Sequence, residues 1–142
     1  MDIKQVEHDY SVGAQIAESD LAALAGAGFK TVIDNRPDAE IETGLHAQFM
    51  EAEAKRLGLS FVYNPISTQG MTMQNLQDQA QAIANAGGPV FAYCRSGMRS
   101  TVCWSLLNAQ RLSVDEIIAS AAGAGYALDN LRPQIEAMAQ AS

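Results

Sequence analysis

The stretch that decides the fold is PVFAYCRSGMRST, residues 89–101. It is apolar and rich in β-forming residues up to Cys94, turns polar and contains a glycine over the next few positions, and then becomes helix-forming. This pattern predicts a buried strand, a short loop and a helix. Such a loop aims its backbone N–H groups and the positive end of the helix dipole at the space above it, so we expect an anion to bind there.

Working outward, the rest of the chain alternates between short apolar or β-branched runs and longer segments with helical spacing. Such an alternation predicts an α/β fold with a mainly parallel central sheet and helices on both faces. Strands are predicted at 29–35, 60–66 and 89–94, after a shorter apolar alternation at 10–16. Helices are predicted at 21–28, 44–58, 72–88, 100–110, 113–125 and 130–141, with N-caps from Ser19 or Asp20, Thr72, Ser113 and Asn130.

Helical spacing also predicts which side chains of two helices face the core. Apolar residues three or four positions apart lie on one face of a helix. In 44–58 these residues are Leu45, Phe49, Ala52 and Leu57, and in 72–88 they are Leu76, Ala80 and Ile83.

Two polar loops directly follow predicted strands. RPDAE, residues 36–40, follows the strand at 29–35, and CRSGMRS, residues 94–100, follows the strand at 89–94. In open α/β sheets, ligands bind at the carboxyl ends of the strands. We therefore expect both loops to face one pocket.

The composition is that of a single globular domain spanning residues 1–142, with 48% hydrophobic and 18% charged residues. The sequence has no run of about eighteen apolar residues and no basic or apolar start. It therefore predicts neither a membrane span nor a signal peptide, and a cytoplasmic location is expected. The net charge of −7 argues against nucleic acid or an anionic membrane as a partner, because both would be repelled.

Cys94 opens the predicted anion-binding loop and has the surroundings of a nucleophile. The loop amides, the charges of Arg95 and Arg99, and a hydroxyl from Ser96 or Ser100 all favour a thiolate over a thiol. A thiolate is the nucleophilic form of cysteine. The alternative is an inert cysteine buried at a strand end, and the two arginines and the glycine turn argue against it.

The second cysteine, Cys103, lies in an apolar helical segment and is expected to be an inert packing residue. A role as a resolving thiol for Cys94 is the alternative. His8 and His46 are far in sequence from both cysteines, so no zinc-ligand spacing exists, and neither a metal nor a cofactor is predicted.

Several stretches in order along the chain resemble the phosphatase-like domain of beta-lactamase-hydrolase-like proteins, a bacterial family also called sulfur transferase. The family resembles dual-specificity tyrosine phosphatases in fold, while its loop CRSGMRS is similar to the active-site loop of rhodaneses. The resemblance therefore implies either of two chemistries. The stretches are GFKTVIDNRPDAE at 28–40, GPVFAYCRSGMRS at 88–100, Trp104, Leu106, and AAGAGYALDNLRP at 121–133.

This resemblance implies that Cys94 and Arg99 are the catalytic pair and that the rest of the loop binds the anion. Arg36, in the neighbouring loop, is a further candidate for anion binding, and a structural arginine paired with Asp38 or capping carbonyls near Pro37 is the alternative. The loop residues expected to bind the anion are Arg95, Ser96, Gly97, Met98 and Ser100.

Loop length favours sulfur chemistry. Four residues separate Cys94 from Arg99, one fewer than the five of cysteine phosphatases, and the shorter loop is similar to that of rhodaneses. Tyr93 also stands where phosphatases usually have a histidine. The sequence therefore favours a sulfurtransferase that carries sulfane sulfur as a persulfide on Cys94 and acts on a small anionic or sulfane-sulfur substrate.

The leaving group gives a second reason. A phosphomonoester normally needs an acid to protonate its leaving oxygen, whereas sulfite or a thiolate leaves readily at neutral pH. The loop STQGMTM, residues 67–73, has no carboxylate, and Asp78 is expected to be a solvated helix residue.

Two other functions stay open. If the RPDAE loop folds over Cys94, then Asp34, Asp38 or Glu40 is a candidate general acid, and the protein would be a phosphatase with a phosphocysteine intermediate. The other function is a non-catalytic module that senses an anion or a persulfide, or that docks on a partner enzyme such as a persulfide dioxygenase.

Overall fold

The computed structural model describes residues 1–141, which form a five-stranded sheet with helices on both faces. The strands occur in the order β1-β2-β5-β3-β4, and every neighbouring pair is parallel except β1 and β2. The α/β fold with a mainly parallel sheet is thereby confirmed. The strands are β1 (Lys4–Glu7), β2 (Tyr10–Gly13), β3 (Thr31–Asp34), β4 (Ser60–Tyr63) and β5 (Val90–Tyr93).

Six α-helices connect or flank these strands. Within residues 1–141, no helix is both long enough and apolar enough to cross a membrane. The helices are α1 (Asp20–Gly26), α2 (Ala47–Arg56), α3 (Met73–Ala84), α4 (Met98–Leu107), α5 (Val114–Gly123) and α6 (Arg132–Gln140), with short 3₁₀ turns at Asp38–Glu40, Thr43–Leu45 and Asp129–Leu131.

Strand β1 was not predicted, because its sequence has little of the usual strand signal. Only Val6 is buried, and the ladder to β2 is irregular between Gln5 and Glu7. Short, charged and irregular strands are typical of the edge of a sheet, where they prevent pairing with another chain.

The core has one layer on each face of the sheet, and β5 contributes to both. Phe91 and Tyr93 pack against α1 and α2, while Val90 and Ala92 pack against the layer that contains Trp104. That second layer is built from α3, α4, α5 and α6. Successive strand residues point to opposite faces, so a run with apolar residues at every position is the expected pattern for a central strand.

The strand register places the carboxyl ends of four strands side by side. Tyr93 pairs with Gly13 on one side and with Asp34 on the other, and Asp34 pairs in turn with Tyr63. The loops that follow these residues therefore emerge at one edge of the sheet. This is the edge where the sequence predicts a binding site.

The predicted face of the helix at 44–58 was partly wrong: Leu45 and Leu57 pack against the core, but Phe49 and Ala52 are exposed. Phe49 is 43% exposed, and the buried residues of the helix are Ala47, Met50 and Ala54. The Asp38 carboxylate accepts a hydrogen bond from the Ala47 backbone N–H at 2.9 Å, so the helix begins at Ala47. The two small alanines allow close packing, a preference that hydrophobic spacing alone does not reveal.

The predicted face of α3 was also partly wrong. Leu76 is buried as expected, but Ala80 is exposed and the polar Gln79 is fully buried. Its burial is compensated by four hydrogen bonds to three residues, Tyr10, Asn35 and Asn64. Thr72 and Asn75 form the N-terminal capping box of this helix, which confirms the predicted start.

Of the predicted N-caps of the last two helices, one is confirmed and one is wrong. Ser113 caps α5 in a capping box with Glu116, as predicted. Asn130 does not cap α6, because residues 129–131 form a 3₁₀ turn and the helix begins at Arg132. Pro133 in the first turn favours this later start, since a proline there needs no N–H partner.

Candidate active site

Cys94 lies directly after the central strand β5, below the first turn of α4. It is 1% exposed, and its Sγ accepts a hydrogen bond from the Gly97 backbone N–H at 3.1 Å. Its own N–H donates to the Gly13 carbonyl at 3.4 Å, and the Arg95 carbonyl accepts a hydrogen bond from Gln15 at 3.3 Å. These contacts tie the cysteine loop to the segment that follows β2.

Gly97 turns the chain from the cysteine loop into α4. Any other residue at this position would force the loop backbone or Tyr126 to move. Its φ is +95°, in the left-handed region that side chains disfavour, and a Cβ there would lie 2.1 Å from the Tyr126 hydroxyl oxygen. The Tyr126 hydroxyl donates to the Ser96 carbonyl at 2.8 Å. Sequence reasoning missed Tyr126, although it lies in a stretch quoted for the family resemblance, because its spacing from the loop carries no signal.

Arg99 is held along one edge of its guanidinium by Glu40. Arg99 Nη1 and Nη2 donate to the two Glu40 oxygens at 2.9 and 2.7 Å, and Nη1 also donates to the Ile66 carbonyl at 2.7 Å. The Glu40 hydrogen bond, and then the nearby Cys94 thiol, raise the pKa of Arg99. A hydrogen bond with the Cys94 side chain also raises this pKa, so the guanidinium lies beside the sulfur.

Arg36 contacts the same glutamate rather than Asp38. Its Nε lies 3.5 Å from a Glu40 carboxylate oxygen, and its Nη2 donates to the Glu40 carbonyl at 3.1 Å. Nη1 donates to Gln15 at 3.4 Å. Arg36 therefore supports Glu40, which in turn holds Arg99. A direct contact between Arg36 and an anion stays a prediction.

The three candidate acids have different surroundings. The Asp38 carboxylate accepts a hydrogen bond from the first N–H of α2, so this carboxylate is directed at the helix start. The hydrogen bond from Arg99 lowers the pKa of Glu40, which is therefore ionised near neutral pH and has no proton to donate. Burial raises the pKa of Asp34 to about 7, but this side chain is 2% exposed and accepts a hydrogen bond from the Arg36 backbone.

The two serines of the loop do not direct hydrogen bonds at Cys94 in this structure. The Ser100 hydroxyl donates to Asn35 Oδ1 at 2.9 Å, and Ser96 Oγ accepts from the Met98 N–H at 3.3 Å. The sequence-based expectation for Ser100 therefore differs from the observed contact. The hydrogen bond from Ser100 to Asn35 holds α4 against the segment that directly follows β3. Arg95 and Met98 are exposed at the mouth of the site.

A buried hydrogen-bond network that the sequence did not predict supports the loop from below. Gln79 Nε2 donates to Tyr10 Oη and to Asn35 Oδ1, each at 3.0 Å, and its Oε1 accepts from Asn35 and Asn64 at 2.9 and 2.8 Å. The Tyr10 hydroxyl donates to the Ser100 carbonyl at 2.8 Å. Fully satisfied buried networks rigidify the elements they join, here β2, β3, α3 and α4.

Cys103 lies in the packed core below the site. It is fully buried with Ile66 and Leu76, and burial raises the pKa of its thiol to about 12. A thiol with such a pKa stays protonated at neutral pH and is a poor nucleophile. The packing role that the sequence favours agrees with this environment.

A cavity of about 550 Å³ opens beside the cysteine loop. Arg95 and Arg99 lie at its loop end, and the segment 66–71 forms one wall. No carboxylate is among the lining side chains in the part of the chain that the structure describes. The cavity borders the cysteine loop through Arg95, Ser96, Met98 and Arg99, whereas Cys94 itself is buried beneath these residues.

The fold is that of the tyrosine and dual-specificity phosphatases. The crystal structure of kinase-associated phosphatase superposes with a TM-score of 0.70 at 13% identity, covering 100% of this chain and 97% of that one. A candidate phosphatase from Neisseria meningitidis superposes with a TM-score of 0.84 at 30% identity, covering 97% of this chain and 99% of that one. Fold and sequence similarity together define a phosphatase-like domain, with a cysteine in the loop that follows the central strand.

The family follows from the sequence match. Residues 2–111 match the phosphatase-like domain of beta-lactamase hydrolase-like protein, and the chain belongs to this family. A beta-lactamase hydrolase-like protein from Agrobacterium fabrum is 30% identical over 103 residues, which are 72% of this chain and 24% of that protein. The chain thus spans only about a quarter of the length of that curated relative.

Proposed function

We propose that the protein is a cysteine-dependent phosphatase that works through a phosphocysteine intermediate. Cys94 is the nucleophile, Arg99 binds the phosphoryl oxygens, and the loop amides hold the group in place. This proposal departs from the sulfur transfer that loop length favours. The similarity to proteins described as phosphatases supports it more directly than it supports sulfur transfer.

The reaction has two displacement steps at phosphorus. The Cys94 thiolate attacks phosphorus, the S–P bond forms, the P–O bond to the leaving group breaks, and the leaving oxygen keeps the electron pair, as p-nitrophenolate can do without a proton. A water molecule then attacks the phosphocysteine, the S–P bond breaks, the thiolate returns, and the proton of the water goes to solvent with the released phosphate. Arg99 and the loop N–H groups offset the charge on the phosphoryl oxygens in both steps.

The observation that carries the proposal is the position of Arg99, which contacts both Glu40 and Cys94. Glu40 binds the edge formed by the two Nη atoms, and Arg99 also forms a hydrogen bond with Cys94. Two parallel N–H donors match two oxygens of a phosphoryl group. Because Glu40 itself is braced by Arg36, the fork is held in one orientation before the substrate arrives.

The test is phosphate release from p-nitrophenyl phosphate, together with acid-quench mass spectrometry of the Cys94 peptide. We expect release to require Cys94 and the quenched peptide to carry one phosphoryl group. Cys94→Ser should abolish both signals, whereas Cys103→Ser, the matched control, should retain most activity. Release at equal rates from the wild type and Cys94→Ser would exclude this mechanism.

Sulfur transfer is the second candidate, because only four residues separate Cys94 from Arg99. A smaller ring of amides suits a persulfide better than a phosphoryl group. A gain of one sulfur atom on Cys94 after thiosulfate, without phosphorylation by any ester, would favour transfer. A thiol acceptor such as glutathione and a persulfide dioxygenase-type partner enzyme belong to this second proposal.

A further inference from the structure

An apolar groove begins at the cysteine loop and follows α4. Its first section is the cavity of about 550 Å³, and it continues through two adjoining cavities of about 310 Å³ each. Leu106 lines all three sections, and Met138 lines the second and third. These three cavities together are called the α4 groove.

The walls of the α4 groove are apolar and adaptable. On α4, Met98, Val102 and Leu106 are spaced four residues apart and so lie on one face of the helix. Leu131 and Met138 form the wall on the side of α6. With Met71 and Met73 of the opposite segment, four methionines line the groove, and methionine fills irregular contacts better than branched side chains do.

Charge is confined to one end of the α4 groove. Within residues 1–141, Arg95 and Arg99 are the charged side chains that line it, and both lie at the cysteine loop. The groove therefore suits a molecule with an anionic head beside Arg95 and Arg99, at the cysteine loop, and an apolar tail along α4. The ten residues of α4 span about 15 Å, so the groove is long enough for an extended chain of ten carbons.

The leaving group is constrained by the absence of a usable acid. No carboxylate lines the described part of the groove, and Glu40 is ionised by its pair with Arg99. An alkoxide leaving group would need a proton from such an acid. A carboxylate does not, because the pKa of its conjugate acid is only about 4.

We infer that the substrate is an acyl phosphate with an unbranched apolar chain. This inference rests on the proposed phosphatase function and specifies its substrate class. The thiolate of Cys94 attacks phosphorus, the bond from phosphorus to the acyl oxygen breaks, and the carboxylate leaves with the electron pair and needs no proton. Water then releases phosphate from Cys94, and the acyl chain leaves along the α4 groove as a fatty-acid anion.

The experiment compares three substrates and two inhibitors with the purified chain. Acetyl phosphate and decanoyl phosphate share the leaving group and differ in chain length, whereas decyl phosphate has the chain without the good leaving group. We expect kcat/KM for decanoyl phosphate to exceed that for acetyl phosphate at least about tenfold, because added methylenes are buried. Decyl phosphate should bind and turn over at least about a hundredfold more slowly than decanoyl phosphate, since no acid protonates its leaving oxygen.

Variants of the groove locate the effect. Met71→Gln and Leu131→Gln should each lower the ratio of decanoyl to acetyl phosphate turnover several-fold, because a polar wall suits the chain less well. Phe49→Gln is the matched control, since Phe49 is an exposed apolar residue on α2 outside the groove. It should leave the ratio at the wild-type value, and spontaneous hydrolysis is subtracted with Cys94→Ser.

Binding of decylphosphonate and methylphosphonate separates this inference from the proposed function. Chain-dependent binding without phosphate release from any substrate would remove the phosphatase function and retain the groove as an apolar tail site. Release of phosphate with no dependence of rate or affinity on chain length would overturn the inference and leave the phosphatase function intact. Equal turnover of decyl and decanoyl phosphate would overturn the acyl phosphate assignment.

Discussion

At the scale of single residues, Arg99 and Gly97 set the geometry around Cys94. Arg99 presents one edge of its fork to the site because Glu40 binds the other. Gly97 directs its N–H at the Cys94 sulfur from a left-handed conformation, with no space for a Cβ beside Tyr126. Lysine cannot reproduce the guanidinium fork of Arg99, and alanine cannot adopt the conformation of Gly97 without strain.

Replacing Arg99 by lysine keeps the charge but removes the fork. Lysine cannot bind Glu40 and two phosphoryl oxygens at once, so kcat/KM for p-nitrophenyl phosphate should fall by about tenfold or more, as expected for a lost charge-assisted hydrogen bond. Arg111→Lys, at a surface ion pair with Glu7, is the matched control and should retain the wild-type rate. Unchanged turnover in a folded Arg99→Lys protein would contradict the role given to the fork.

Replacing Gly97 by alanine should cost both stability and activity. The positive φ and the contact with the Tyr126 hydroxyl force the loop to shift, at about 1–3 kcal/mol by thermal or urea unfolding. Phosphate release should fall together with stability, because the amide that faces Cys94 moves. Gly26→Ala, where the added methyl meets no neighbour, is the control, and equal effects of the two substitutions would argue against the steric reason.

At the scale of elements, polar side chains bridge neighbouring strands and helices near the site. Gln79 joins α3 to β2, β3 and the segment after β4 through hydrogen bonds to Tyr10, Asn35 and Asn64. One row of the sheet also places Asp34 between Tyr93 and Tyr63 on neighbouring strands. These contacts position α4 and its loop without contacting the substrate.

Replacing Gln79 by leucine keeps the volume and removes the hydrogen bonds. Buried polar atoms of Tyr10, Asn35 and Asn64 would lose partners, so the free energy of unfolding should fall by about 2 kcal/mol or more. Urea denaturation followed by circular dichroism measures this change. Gln77→Leu, at an exposed position of the same helix, should change stability little, and a similar loss in both variants would show that the network is not the cause.

Asp34 should make stability depend on pH. Its pKa of about 7 in the folded state lies above the value of 3.8 of an unperturbed carboxyl, so the folded state binds the proton more tightly. The stabilisation that the protonated Asp34 gives the folded state is fully present below about pH 4 and is lost as pH rises through 7. It amounts to about 2–4 kcal/mol. Asp34→Asn should therefore gain stability relative to the wild type between pH 4 and 8.

Unfolding in urea at several pH values measures this difference. Asp78→Asn, at an exposed site where Gln74 is the hydrogen-bond partner, is the control for a general effect of removing a carboxylate. A difference between Asp34→Asn and the wild type that does not change with pH would show that Asp34 titrates normally in the folded protein.

At the scale of the whole molecule, the two core layers share the central strand. Phe91 and Tyr93 belong to one layer, and Val90 and Ala92 belong to the other. Loss of either layer would expose one side of β5 and of the strands beside it. The site lies at the edge of the sheet where both layers end, so its geometry depends on both.

The two layers should therefore unfold together. Trp104, the single tryptophan, reports on the layer built by α3 to α6, and far-ultraviolet circular dichroism reports on all elements. The urea transitions measured by the two probes should coincide, as for other single domains of this size. Two separated transitions would show that the layers fold independently.

The sequence by itself determined the elements around Cys94 and the class of fold. Hydrophobic periodicity and the polar loop after residues 89–94 predict strand, loop and helix, because these signals come from residues close together in the chain. The same local signals predict the mainly parallel sheet and the capping residues Thr72 and Ser113. The buried faces of α2 and α3 were less predictable from the sequence. Several faces of each helix have similar apolar spacing, and the small alanines of α2 and the buried network around Gln79 decide which face packs against the core.

The tertiary structure alone decided the contacts that shape the site. Glu40 binds Arg99 across 59 positions of sequence, Tyr126 reaches Ser96 across 30, and Gln79 reaches Tyr10 across 69. No local pattern encodes such pairs, because they depend on which loops the strand order brings to one edge of the sheet. The α4 groove exists for the same reason: its walls come from the segment after β4, from α3, from α4 and from the α6 region, and only folding places these four side by side.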